Sequence, residues 1–497
     1  MSNPPTGSAA PRPPGPARAS APTAGRTGPA GFPGPRTGPL AQAVPASAEA
    51  APRRPAWREG LDRLRTGATT EPGRLRVIGA VLAVLVLAFG AVTAWQVTER
   101  ATAADSVRDR SQPLSANAAD IYRSLADADA TAAGGFLAGG QEPRAVRLRY
   151  ERDIGRASDL LVKAGAHTSG SRAARDQIAK LNHQLPFYTG YIESARANNR
   201  QGLPLGGAYL RYASETMRGE LLPAASKLYE TETARLGSDY GDAKSWPWAA
   251  TGVGLLTLGA LGWAQRRNYR RTNRVFNRGL LAATGASTVV LLWLVVGHSL
   301  ARAELNESST HGAQSLHVLN EARIGALQAR GDENLTLVAR GAVLTPDGDD
   351  AYEVSYKAGM RRLVGSGADG AAAGDSLLDR AGKLADDPKG RAPVARALDG
   401  VREWQRRHAD ARATDDSGDY EHALPKVIGA KDSTGESFDR VDGELAAAVR
   451  HEQDEFDRAA GDGRGALEWM AAGAVVLAVL GAAGTVLGIG RRLSEYR

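Results

Sequence analysis

Four runs of about 20 apolar residues interrupt an otherwise polar chain, and no other feature of the sequence limits its fold as strongly. A run of that length suits one helical crossing of the hydrocarbon core, where a helix satisfies every backbone N–H and C=O within its own segment. The runs lie at 77–97, 247–264, 279–297 and 466–490. Trp95, Trp246, Trp248, Trp263 and Trp469 fall near their ends, as in an aromatic belt at the headgroups. The mean hydropathy of -0.31 hides these runs by averaging them with long polar stretches. Buried core helices of a soluble protein are the bland alternative, and four such runs in one chain weigh against it.

Orientation follows from arginine. Short cytoplasmic loops retain positive charge. Arg74 and Arg76 abut the first run, and Arg491 and Arg492 follow the fourth. Arg266, Arg267, Arg270, Arg271, Arg274 and Arg278 fill the 265–278 loop between the second and third, with no acid among them. All three basic segments share one side of a four-span arrangement, so both termini are expected in the cytoplasm and both long segments outside. The net charge of +7 is concentrated in these places: +7 over residues 1–76 and +6 over 265–278, against +2 over 97–246 and -9 over 300–466. No recognition motif accompanies the arginines, so nucleic acid is not an expected partner. The first run begins after 76 residues and lacks a small-residue cleavage pattern, unlike a signal peptide. No Asp, Glu, Lys or Arg lies deep in a run, which argues against an ion or proton path. Gly484 and Gly488 form a small-xxx-small pair suited to close helix packing, although chance in so Gly-rich a chain explains it equally well.

Residues 1–55 are rich in Pro, Gly and Ala and are expected to be disordered; they repeat Arg-Thr-Gly-Pro at 26–29 and 36–39. In 56–76, Trp57, Leu61 and Leu64 fall on one face of a short basic helix, expected on the inner leaflet. The external segments 98–246 and 298–465 have helical periodicity and no strand-like alternation. Ile121, Leu125, Ala128, Ala132 and Phe136 form one stripe. Further helices are expected at 144–165, at 171–200 with a bend at Pro186, and from 207 with an interruption at Pro223. The second segment predicts helices at 349–364, 375–386 and 390–413, and a last one from 418 into the fourth span. An even number of antiparallel helices returns each segment to the membrane, giving two four-helix bundles in tandem. An offset of about 201 aligns the halves span for span, pairs Phe136–Gly139 with Leu337–Arg340, and sets Asp127 and Asp129 near Asp332 and Glu333. The layout indicates a duplication, and these four acids are candidate bundle contacts.

The chemistry is sparse. There is no Gly-rich phosphate loop, zinc-protease helix or nucleophile elbow. The chain has no cysteine, and its eight histidines show no ligand spacing in sequence. No enzymatic activity, cofactor or metal is therefore expected. The cytoplasmic parts (tail, arginine loop and residues 491–497) are too small for a kinase or cyclase, so any output must pass to a separate protein. The six loop arginines are the candidate contact for that partner or for lipid.

A helical bundle between two spans, with Ile121–Ala130 and Phe136–Gly140 in its first helix, resembles the ectodomains of bacterial chemoreceptors and sensor kinases. The whole layout over 77–490 is similar to an actinobacterial family of four-span membrane sensors that partner a solute-binding lipoprotein for glutamate, aspartate or glutamine. That resemblance implies a soluble Ser/Thr kinase, protein kinase G, as cytoplasmic output, and a homodimer by analogy with bundle receptors. It carries over no ligand-contact residues. The expected function is a transmembrane relay of amino-acid status at the cell membrane. A non-switching scaffold for envelope assembly is the alternative, and a transport component fits least.

Overall fold

The computed structural model describes residues 71–167, 171–272, 277–365 and 375–493. The tail repeats, the basic stretch at 57–65 and Arg274 lie outside them. The described residues are almost wholly helical and contain no strand.

The first apolar run lies in α1 (Glu71–Ser106), which passes through a π turn (Val107–Ser111) into α2 (Gln112–Leu137). Helix α3 (Arg144–His167) and α4 (Arg172–Arg200) follow. The return path is α5 (Leu205–Thr216), a second π turn (Met217–Leu221) and α6 (Leu222–Lys244). Pro223 is the second residue of α6, directly after the π turn, and the interruption expected there takes the form of that turn within a continuous helical path. Pro186 lies inside α4.

Helix α7 (Trp248–Thr272) carries the second run and α8 (Arg278–Glu307) the third. A third π turn (Ser308–Ala313) leads from α8 into α9 (Gln314–Ala339), about 201 residues after its counterpart at Val107–Ser111. Then come α10 (Ala351–Val364), α11 (Leu377–Leu384), α12 (Pro388–Asp416), α13 (Tyr420–Ile428) and α14 (Thr434–Leu493). The helix expected from 418 is therefore two. It breaks after Ile428, where Asp432 takes a positive φ of 54°, and α14 starts afresh at Thr434. The arginine loop also differs from expectation: α7 continues to Thr272, so Arg266, Arg267, Arg270 and Arg271 lie on its last turns and Arg278 opens α8.

Three helical stretches, Gly73–Leu137, Arg278–Ala339 and Ala471–Arg491, are long and apolar enough to cross a membrane. Helix α7 falls short of them because Gly, Thr and Trp thin its apolar run. It nonetheless packs on the same group. Thr257 Oγ1 lies 3.4 Å from Leu85 O, and a Cβ on Gly254 would lie 2.7 Å from the Phe89 ring. Helix α14 meets α1 and α8 through small residues. A Cβ on Gly90 would lie 2.1 Å from that of Ala478, and one on Gly279 would lie 2.3 Å from Gly484 O and 2.4 Å from Gly488 Cα. The Gly484/Gly488 pair is thus the place where two backbones touch.

Outside this group, α2, α3, α4 and α5–α6 form one bundle, and α9, α10, α12 and α14 form a second with α11 and α13 at its sides. Helices α2 and α9 pack against each other, so the bundles share one continuous apolar core. It includes Ile121, Leu125, Tyr188 and Met217 from the first, and Leu327, Trp404 and Phe438 from the second.

Candidate functional site

Helix α2 is rich in small residues, and Ala118, Ala119, Ala126, Ala128, Ala130, Ala132 and Ala133 are all buried. A helix apolar around its circumference belongs inside a structure. Helix α9 has the same character through Ala322, Ala326, Ala329 and Gly331. The two form the central pair of the external unit. A Cβ on Gly331 would stand 3.9 Å from that of Ala130, and Asn334 Nδ2 donates to Ala130 O at 3.0 Å.

All four acids singled out in the sequence are buried on this pair, each solved differently. Asp127 accepts from Arg149 Nε at 3.0 Å, and Arg149 Nη1 continues to Asp439 of the second bundle at 3.1 Å. Asp129 accepts from Ser214 Oγ at 3.2 Å and faces Arg218 Nε at 3.9 Å. Arg218 Nη1 also donates to Asp332 across the seam. Burial raises Asp129, and it pushes Asp332 up to about 6 in spite of Arg218. Arg218 is itself desolvated, but the two carboxylates more than offset this and hold it charged. One guanidinium thus answers two buried carboxylates, one from each bundle.

Glu333 points the other way, into the second bundle. It accepts from Arg330 Nη1 and from Trp404 Nε1 at 3.1 Å, and lies 2.9 Å from His408 Nδ1. His408 Nε2 reaches Glu353 at 3.1 Å, and the imidazole stacks on Tyr356. Burial works against the charge on His408, yet the two glutamates hold it up at about 9. Burial raises Glu333 and Glu353 as well, but their cationic partners outweigh it. Glu333 ends below its ordinary value, and Glu353 is brought to about 2. These are internal pairings that fix the bundle.

Clefts flank the seam. One of about 500 Å³ is lined by Tyr122, Asp129, Arg218, Gln328, Asp332 and Arg362. On the other side a cleft of about 290 Å³ is lined by Asp127, Arg149, Arg330, Asn334 and Asp439. The larger is of small-ligand size. Nearer the spans, Gln112 Nε2 donates to Gln453 Oε1 at 2.9 Å, and Tyr240 Oη lies 2.6 Å from Ser308 Oγ, again from one bundle to the other.

The sequence pattern thus found the acids but not their partners. Arg149 lies 22 residues from Asp127, and Arg218 lies 89 from Asp129 and 114 from Asp332, with no periodic signal. The available hint was the unbroken alanine content of α2, which exceeds what one buried stripe needs. The described loop arginines, Arg266, Arg267, Arg270, Arg271 and Arg278, do not join this site. They lie at the far end of the membrane group, where the Arg267 guanidinium stands 5.5 Å from the Trp263 ring centroid.

Residues 103–241, from the last turn of α1 almost to the end of α6, match the family described as the actinobacterial sensor domain. No curated protein matches the chain. Together with the apolar helices, that match makes this a helical membrane protein with a sensory role.

Proposed function

We propose that the chain is a transmembrane relay. Extracytoplasmic amino-acid status, presented by a solute-binding lipoprotein, shifts α2 against α9, and the displacement passes through α1 and α8 to a separate cytoplasmic Ser/Thr kinase. Four crossings with both termini inside complete the arrangement, and the packing of α7 on α1 and α8 supports the fourth. The arginines at the end of α7 and start of α8 are the surface the kinase reads, and a homodimer is compatible with it.

One observation carries the reading. The helices of the central seam are the membrane helices themselves, continuous over Gly73–Leu137 and Arg278–Ala339. A stiff helix transmits a shift of an ångström or two without a flexible joint. The seam suits such a shift because Arg218 already faces two alternative carboxylates.

The chain has no native cysteine, which gives a clean test. Ala130→Cys with Gly331→Cys places two Cβ atoms within disulfide range. In cells, oxidation of this pair is expected to abolish the amino-acid-dependent change in kinase output, and reduction to restore it. A locked chain that responds like wild type refutes the relay. The continuous core between the bundles also suits a rigid scaffold. A scaffold predicts partner recovery that does not depend on amino acid, with or without the lock.

A further inference from the structure

The turn between α11 and α12 places Asp386 and Asp387 against two other segments. From one side come Glu307, the last residue of α8, and His311, in the π turn. From the other come His451, Glu452 and Glu455 of α14. The donor atoms of Glu307, His311 and Asp386 lie within 4.8 Å of one another, as do those of Asp387, His451 and Glu455. Three donors about 3.5 Å apart surround a point about 2 Å from each, the bond length of zinc to imidazole nitrogen or carboxylate oxygen.

Two further observations separate this cluster from an ordinary acidic surface. The first is Glu452, which is 1% exposed and whose Oε2 has no hydrogen-bond partner. It packs beside the turn: a Cβ on Gly390 would lie 2.9 Å from Glu452 Oε1 and 3.3 Å from the His451 ring. A buried carboxylate without a partner is costly unless a cation joins it. The second is His311. Its Nδ1 donates to Leu384 O at 2.9 Å, which fixes the tautomer and leaves Nε2 with its lone pair free. A backbone carbonyl orienting the far nitrogen is the usual support of a metal-bound histidine.

We propose that the Asp386–Asp387 turn binds divalent transition metal of the Zn²⁺ type at one or both of its three-donor sets, Glu307–His311–Asp386 on one side and Asp387–His451–Glu455 on the other. The imidazole in each set favours zinc or a neighbouring first-row ion over Ca²⁺ or Mg²⁺, which take oxygen donors. Glu452 supplies compensating negative charge behind the ligands. The first set joins the π turn beneath α9 to the α11–α12 turn, and the second joins that turn to α14. The alternative is that His451 simply pairs with Asp387, at 3.0 Å, and Glu455, at 3.3 Å, with no ion between them.

The test uses the full chain in detergent, stripped with EDTA and titrated with Zn²⁺ against a chromophoric chelator. Wild type is expected to take up at least one ion per chain. His311→Gln and His451→Gln are each expected to weaken uptake about tenfold or more, while His167→Gln with His422→Gln leaves it unchanged. Co²⁺ in place of Zn²⁺ is expected to give ligand-field bands of nitrogen and oxygen coordination in wild type, a readout that needs no variant. Uptake equal in wild type and in His311→Gln with His451→Gln shows adventitious binding and overturns the proposal, as does wild type that takes up no ion.

Discussion

Replacing Arg218 by Met keeps the aliphatic stem and removes the cation that Asp129 and Asp332 share. Protonation of the carboxylates limits the cost. With Arg218 present Asp332 titrates at about 6, so at pH 7.5 its ionised form is favoured by about 1.5 units, or roughly 2 kcal/mol. Without the guanidinium the acid protonates instead, and the protein loses about that amount. Asp129, also raised by burial, adds to the loss. The expected destabilisation is about 2–4 kcal/mol at pH 7.5, near the lower end for a broken buried pair because Arg218 is partly exposed. At pH 5.5 Asp332 is already mostly protonated in wild type, and the loss should fall below about 1 kcal/mol. Chemical denaturation of the full chain in detergent, followed by tryptophan fluorescence, measures both values; Trp404 in the second bundle core is one reporter. Adding Asp332→Asn to Arg218→Met should recover most of the loss at pH 7.5. An equal loss at the two pH values would refute the reasoning, because the carboxylates would then not be what Arg218 compensates.

The wild-type pH profile has a definite sign. Asp332 at about 6 and Asp153 at about 7 are carboxylates raised by burial. Their stabilising contribution is complete below the unfolded value and is lost as pH rises through those points. His408, raised to about 9, loses its contribution over higher pH, so the melting temperature should be higher at pH 5.5 than at pH 8.5. Gly279→Val forces α8 away from Gly484 and Gly488, and should cost about 1–3 kcal/mol or more, seen as lower thermal stability and broader size-exclusion peaks. Trp404→Phe removes the indole donor to buried Glu333, and should cost about 1–2 kcal/mol in the same denaturation assay.

What could be foreseen divides by the range of the interaction. Membrane helices were legible because an apolar run of the right length needs no partner to be recognised. The bundle helices were legible where one stripe faces one core, as at Ile121 and Leu125. The docking of α2 on α9 was only half visible, since its acids stood out from an alanine-rich background while their arginines did not. The break between α13 and α14 was missed because Tyr420–Ile428 has good helical periodicity, and the break after it is set by local turn geometry. The histidines looked scattered because their partners are distant in the chain: Asp386 follows His311 by 75 residues, and Asp387 precedes His451 by 64.

The π turns at Val107–Ser111 and Ser308–Ala313 have an angular consequence. A π turn accommodates one residue more than an α-helix needs, and each residue advances an α-helix by about 100°. The side of α1 that faces the bilayer group and the side of α2 that faces its bundle are therefore phased independently. The same holds for α8 and α9. Deleting one residue from either turn would restore a plain α-helix and rotate everything beyond it by roughly a quarter of a circle. Two domains with near-equal offsets from their membrane helices keep the same azimuth, so α2 and α9 can meet face to face while their spans still pack around α14.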